Sequence, residues 1–372
     1  MIARASRATP EPAPAKGRPI DMTARQPQPD ARRLLNVITG DAPPDRLPFI
    51  DLRVDDDVIE RIVGEPFRTG QTAAETEAIT ADLIVRCCLE LDWDMAWARC
   101  SVPFTKSART AADTAGGGTR AWQDSHGGGM TDREAFERFP WPEPGAVREA
   151  HVEALAARAP EGMGIFSTTS GVYENATRLM GVEGFAYCLM DDPDLVADVF
   201  HAVGERVLAH IESLARMDAI RACWMGDDLG HKTGLQLSPE LLREHVFPWI
   251  ARAAEACHRF GKPFVLHSCG NIYGAMDEII GLGIDAKHSF EDGILPIEVA
   301  VERYSDRVGL IGGIDVDLLA RGDLEAIRRR SREVIDACAP TGRWALGSGN
   351  SFANYIPLEA YRAMLAEGRL AW

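Results

Sequence analysis

Short apolar runs alternate along this chain with stretches whose apolar residues recur at helical spacing. Runs at 47–52, 95–102, 164–168, 220–225, 262–270, 284–289, 308–312 and 343–347 have the length and apolar content of buried strands. Between them the pattern changes to helical periodicity, over 72–91, 147–157, 194–217, from Ser238 onward, 273–282, 324–338 and near the end of the chain. Ser238-Pro239-Glu240 carries a start signal, with Ser as N-cap and Pro at the first helical position. About eight strands, each followed by a helical segment, predict a single (β/α)8 TIM barrel. A doubly wound open sheet is the competing arrangement.

Two segments break the alternation. Residues 1–30 are rich in Ala, Pro, Arg and Gln and are read as a disordered tail, with 31–372 as the barrel; Met1 and Met22 are both candidate starts. Residues 105–145 hold Gly116-Gly117-Gly118 and Gly127-Gly128-Gly129 around Trp122, a glycine-rich insertion expected to form a lid. Thr131-x-x-Glu134 inside it has the capping-box pattern of a short helix.

Composition narrows the class. With 372 residues and 46% hydrophobic content the chain is globular. A net charge of −16 argues against nucleic acid as a partner. The eight cysteines show no disulfide-framework spacing, so reduced thiols and a cytoplasmic enzyme are expected. No apolar run reaches membrane-spanning length, so no membrane partner is expected.

The chemistry gathers at the carboxyl ends of the predicted strands, where a barrel keeps its active site. These ends present Ser167 and Thr168, Asp227 and Asp228, His267 and Cys269, then His288, Glu291 and Asp292, Asp315, and finally Ser348 and Asn350. His267 and Cys269 stand two apart, so on an extended backbone both face the same side.

These motifs resemble the uroporphyrinogen decarboxylase superfamily, which includes methylcobamide:thiol methyltransferases. The resemblance rests on Gly226-Asp227-Asp228-Leu229-Gly230, Ser238-Pro239-Glu240, His267-Ser268-Cys269-Gly270 and Phe290-Glu291-Asp292. Gly312-Gly313-Ile314-Asp315 and Gly347-Ser348-Gly349-Asn350 complete it. The arginine block with which the decarboxylases hold substrate carboxylates is absent from this sequence. The methyltransferase branch and the related methionine synthases bind zinc through His-x-Cys and a distant last-strand Cys. The resemblance therefore implies a zinc site of His267, Cys269 and Glu291, with Ser348 standing where relatives place that Cys. It further implies methyl transfer between a corrinoid, brought by a separate protein, and a thiol or similar acceptor. Asp227, Asp228 and His288 become catalytic candidates, and Ser348, Asn350 and Tyr173 cofactor-binding candidates. Metal-free decarboxylation of a tetrapyrrole acid and a non-catalytic corrinoid- or tetrapyrrole-binding barrel are the alternatives.

Each residue also has a plainer use. Buried Cys packs as a small hydrophobe. Asp227 and Asp228 suit a turn cap, or Asp228 orients His267. His288 suits a satisfied core position, Asp315, Ser348 and Asn350 suit tight turns, and Tyr173 and Trp122 suit core packing. Asp124-Ser125-His126-Gly127-Gly128-Gly129 matches the D-x-H-x-x-G pattern of corrinoid modules but lacks their βαβ frame, so it is read as coincidence.

Overall fold

A computed structural model describes residues 28–104, 108–112, 119–123 and 129–371. The strands are β1 (Met95–Arg99), β2 (Ala108–Ala112), β3 (Thr119–Gln123), β4 (Gly164–Ser170), β5 (Ile220–Gly226) and β6 (Gly230–His231). They continue with β7 (Gly234–Leu235), β8 (Phe264–His267), β9 (Ala286–His288), β10 (Gly309–Ile311) and β11 (Trp344–Ala345). Seven of them, β1-β4-β5-β8-β9-β10-β11, form one parallel sheet in that order.

Parallel neighbours require long crossovers, and helices supply them. Pro193–Arg216 precedes β5, Phe247–Arg259 precedes β8, and Leu324–Cys338 precedes β11. Buried on both faces, the strands read as continuous apolar runs rather than alternating ones. Phe264, Val265 and Leu266 are all fully buried.

Each new strand is added on the same side of the last, so the order never reverses. A doubly wound sheet reverses at its switch point, and that expectation is not met. Phe49 makes parallel bridges to Trp93 and to Leu346, just outside β1 and β11. The Ile50 amide donates to Leu346 O and the Leu346 amide to Pro48 O, both at 3.0 Å. The segment predicted as the first strand thus touches both edges of a curled sheet. The fold is α/β of the TIM-like class.

Helix starts follow local chemistry. Thr72 and Glu75 form a reciprocal capping box ahead of Ala73–Glu90. Ser238 caps Pro239–His245 as expected, and Asp192 caps Pro193–Arg216. The helix read from Thr131-x-x-Glu134 exists as Arg133–Arg138, but its N-cap is Asp132, which accepts from the Ala135 amide at 2.8 Å. The aspartate one position later is an equally strong cap and holds the amide three residues on.

Residues 1–27 of the expected tail, the Asp124–His126 part of the corrinoid-like motif and much of the expected lid lie outside the described residues. Within 105–145, β2 and β3 pair antiparallel, and Trp141 packs among Phe104, Phe136 and Phe139. Among the described residues no helix is long and apolar enough to cross a membrane.

Candidate metal centre

Strand register brings the site together. Gly226 on β5 lies beside His267 on β8, which lies beside His288 on β9. Side chains of laterally paired residues share a face, so both imidazoles project to one side at the carboxyl ends of adjacent strands. Trp224, two residues before Gly226, closes against the His288 ring with centroids 5.1 Å apart.

Beyond the strands, the loops after β5 and β8 lock together. The Asp227 amide donates to His267 O at 2.9 Å, and the Leu229 amide donates to Ser268 Oγ at 3.0 Å. The Cys269 amide donates to Asp228 Oδ1 at 2.8 Å. Gly230 and Gly270 pack backbone to backbone. A Cβ on Gly270, where φ is +78°, would stand 2.3 Å from the Gly230 carbonyl group. Only glycine fits that contact without strain.

Three donor atoms converge as a result. His267 Nε2 is 3.4 Å from Cys269 Sγ and 3.5 Å from Asp228 Oδ1. Among the described residues this is the one place where three His, Cys or acidic donors lie within 4.8 Å of one another. Around it, Asn350 Nδ2 donates to Cys269 Sγ at 3.0 Å, and Ser289 Oγ lies 3.6 Å from the same sulfur. Ser289 has φ +133°, and its hydroxyl donates to Gly349 O at 2.5 Å. A non-glycine residue held there is strained, as happens at built sites.

The electrostatics of the cluster disfavour charge on its sulfur and on its imidazole. Burial pushes the Cys269 thiol up to about 12, with the Asp228 charge adding to the effect. Burial also lowers His267 to about 4, so its imidazole is neutral at pH 7. One nitrogen, one sulfur and one carboxylate oxygen are a donor set that zinc accepts. Lys287, on β9, is fully buried and donates to the Ser289 carbonyl, with its ammonium 4.1 Å from the centre of the Phe290 ring. Burial lowers it to about 8.

The remaining candidates sit as follows. Glu291 is exposed and outside the three-donor cluster; its Oε1 accepts from the Gly270 amide at 3.2 Å. Asp227 is fully buried, and its two oxygens accept from the Tyr173 and Glu174 amides at 3.0 and 2.8 Å. It thereby holds the start of the helix Val172–Met180, and burial pushes it up to about 7. Tyr173 contributes its amide to that contact and a half-buried ring to the core. Ser348 is buried, and its hydroxyl donates to Asp51 Oδ1 at 3.0 Å. His288 is buried behind His267, with their Nδ1 atoms 2.7 Å apart. Asp315 caps the helix Val316–Arg321.

Sequence reasoning missed Lys287 and Asp51. A lysine inside an apolar strand and an aspartate ending the first apolar run were the available signals.

A curled parallel sheet of TIM-like class, with metal-type donors at the carboxyl ends of its strands, defines the class of protein. The chain belongs to the uroporphyrinogen decarboxylase (URO-D) family, whose profile matches residues 132–369. It is 26% identical over 192 residues to a uroporphyrinogen decarboxylase of Anaeromyxobacter dehalogenans (strain 2CP-C). That alignment takes in 50% of this chain and spans about half, 51%, of the relative's length. Among solved structures it is similar to a methyltransferase from Methanosarcina mazei, with a TM-score of 0.66 and 17% identity. This match covers 91% of the chain and 97% of the other. At that identity the likeness speaks for the fold. Family membership supports an enzyme.

Proposed function

We propose that this protein is a zinc-dependent methyltransferase, moving a methyl group between a corrinoid and a thiol or similar acceptor. The observation that carries the reading is the convergence of Asp228, His267 and Cys269. His267 and Cys269 would hold the ion as the motif suggests, with Asp228 as the third donor. Glu291, hydrogen-bonded to the next residue of the ligand loop, stands as a neighbour to that set. Thiolate and carboxylate together balance the charge of a divalent cation, and three protein donors leave one position open. When bound, zinc supplies the Lewis acidity that turns an incoming thiol into a nucleophile at neutral pH.

The other residues divide the remaining work. Asn350 hydrogen-bonds the Cys269 sulfur and would stabilise it as a thiolate ligand. Asp228 fixes the ligand loop through the Cys269 amide. Asp227 is a positioning residue that ties the helix Val172–Met180 to the end of β5. We read residues 48–50 as the eighth strand of a closed (β/α)8 barrel, with 31–372 as one domain and the glycine-rich insertion as a lid. A separate corrinoid protein would deliver the cofactor.

The relative named as a uroporphyrinogen decarboxylase favours a second reading, metal-free decarboxylation of a tetrapyrrole acid. There Asp228, 39% exposed, would be the acidic group facing substrate. Metal analysis of protein purified without added zinc separates the two. Stoichiometric zinc that is lost in Cys269→Ser, together with methyl transfer, supports the first reading. A metal-free protein with Cys269→Ser fully active would end the metal reading and favour the second.

A further inference from the structure

The first residue beyond β9 carries an inference that deepens the metal reading and rests on it. Ser289 has φ +133°, a conformation that strains any residue with a Cβ and leaves glycine at ease. The chain nonetheless keeps a buried side chain there. What glycine would lack is the hydroxyl. Ser289 Oγ donates to Gly349 O at 2.5 Å and lies 3.6 Å from Cys269 Sγ. One strained side chain therefore touches both the loop after β8 and the loop after β11.

The surroundings hold that residue from two sides. Buried Lys287 donates to the Ser289 carbonyl, and an ammonium is costly to bury. Beyond Ser289, the backbones of Phe290 and Gly349 press together: a Cβ on Gly349 would stand 2.3 Å from Phe290 O. The carbonyl that Ser289 grips belongs to the peptide unit joining Gly349 to Asn350. The N–H of the same unit donates to Ser348 Oγ at 3.2 Å. Both polar ends of one peptide are thus fixed by side chains, and from that peptide projects Asn350, whose Nδ2 donates to Cys269 Sγ at 3.0 Å.

We propose that Ser289 is a positioning residue: its hydroxyl fixes the Gly349–Asn350 peptide so that Asn350 Nδ2 stays on the Cys269 sulfur. The backbone strain at Ser289 persists because only a side chain with a hydroxyl makes that contact. Groups that orient a metal ligand from behind typically change metal affinity by roughly 10–100-fold when removed.

The test uses the full chain, the variants Ser289→Ala, Ser289→Gly and Asn350→Ala, and the double variant Ser289→Ala with Asn350→Ala. Zinc affinity, by chelator competition, is expected to fall roughly tenfold in each single variant. The double variant should stay within about threefold of Asn350→Ala alone, because Ser289 acts through Asn350. Denaturation of the zinc-free proteins separates this role from a merely structural one. Ser289→Gly should unfold at a higher denaturant concentration than Ser289→Ala, since both lose the hydroxyl and only alanine keeps the strained Cβ. Zinc affinity should nevertheless be equally low in both. In cobalt-loaded protein, the thiolate-to-cobalt absorption should move to lower energy in Ser289→Ala as it does in Asn350→Ala, because each removes the donor from the sulfur. Losses that add in the double variant, to roughly 100-fold, overturn the proposal and leave the metal site standing. So does wild-type zinc affinity in the Ser289 variants, or an affinity that follows stability from alanine to glycine. A wild type that binds neither zinc nor cobalt ends the metal reading, and the proposal with it. Should Ser289→Ala fail to fold, Ser289→Gly, alone and combined with Asn350→Ala, completes the same cycle.

Discussion

Asn350 and Cys269 lie 81 residues apart, yet the Asn350 side-chain Nδ2 donates to the Cys269 sulfur across 3.0 Å. Asn350 follows the last strand and Cys269 follows β8, so the contact spans the mouth of the sheet. It puts a neutral dipole beside the sulfur, near where the resemblance leads one to expect a second thiolate. Removing a hydrogen bond to a charged acceptor costs about 1.5 kcal/mol or more. Asn350→Ala should therefore weaken zinc binding by roughly tenfold, measured by chelator competition. Unchanged affinity would show that the contact contributes nothing to the bound state.

Ser348 occupies the position of the relatives' last ligand in the motif, but its hydroxyl serves Asp51. Ser348→Cys is expected to leave zinc affinity within about threefold. It should cost about 1–3 kcal/mol of stability, because a larger thiol replaces a buried hydroxyl and loses its hydrogen bond. Chemical denaturation and zinc titration of the same variant check both parts. Markedly tighter zinc binding would return Ser348 to the metal centre.

The acid–base state of the donors sets a pH slope. His267, lowered to about 4 by burial, is already neutral between pH 6 and 8. Cys269, raised to about 12, is still a thiol there and must release one proton on binding. Zinc affinity should rise about tenfold per pH unit over that window and fall by the same factor as pH drops. Isothermal titration at several pH values gives the slope; a flat profile would mean that Cys269 is not a ligand.

Asp51 is fully buried and pushed up to about 7 by that burial, although Tyr361 and Ser348 both donate to it. The folded state holds its proton where the unfolded chain, near pH 4, has lost it. Between about pH 4 and 7 the folded state binds more protons, so stability from this group falls as pH rises. Asp51→Asn has no charge to bury. Relative to wild type it should gain stability at pH 8 compared with pH 5, read from denaturation midpoints at both pH values. An equal difference at the two pH values would mean that Asp51 ionises freely in the fold.

Strong local signals were legible in the sequence. The helix over 324–338 is found as Leu324–Cys338, and Ser238 caps where its neighbours Pro239 and Glu240 said it would. His267 and Cys269 could be paired because both lie on one short run. The choice between Glu291 and Asp228 as their neighbour could not be read from spacing. It depends on how tightly Gly230 and Gly270 let two loops approach, which is tertiary packing. The capping aspartate at 132 competed with Thr131 one residue away, and only the backbone geometry separates such neighbours. Phe49 was recognisable as apolar and extended, but nothing local tells that its partners are Trp93 and Leu346.

That pairing governs the order in which the molecule can be assembled. Phe49 leaves the ribosome early, while Leu346 emerges only after nearly all of the other strands have been made. Trp93, the other bridge partner of Phe49, is made soon after it, but the side of the segment that meets Leu346 stays unpaired until the end of the chain arrives. The Tyr361 hydroxyl, 310 residues from Asp51 and 2.6 Å from its carboxylate, then fastens the final helix over the join. A chain released before residue 346 lacks the Leu346 partner of Phe49 and leaves that edge unpaired. Such edges recruit other chains, so incomplete products of this sequence are expected to associate more readily than the full chain.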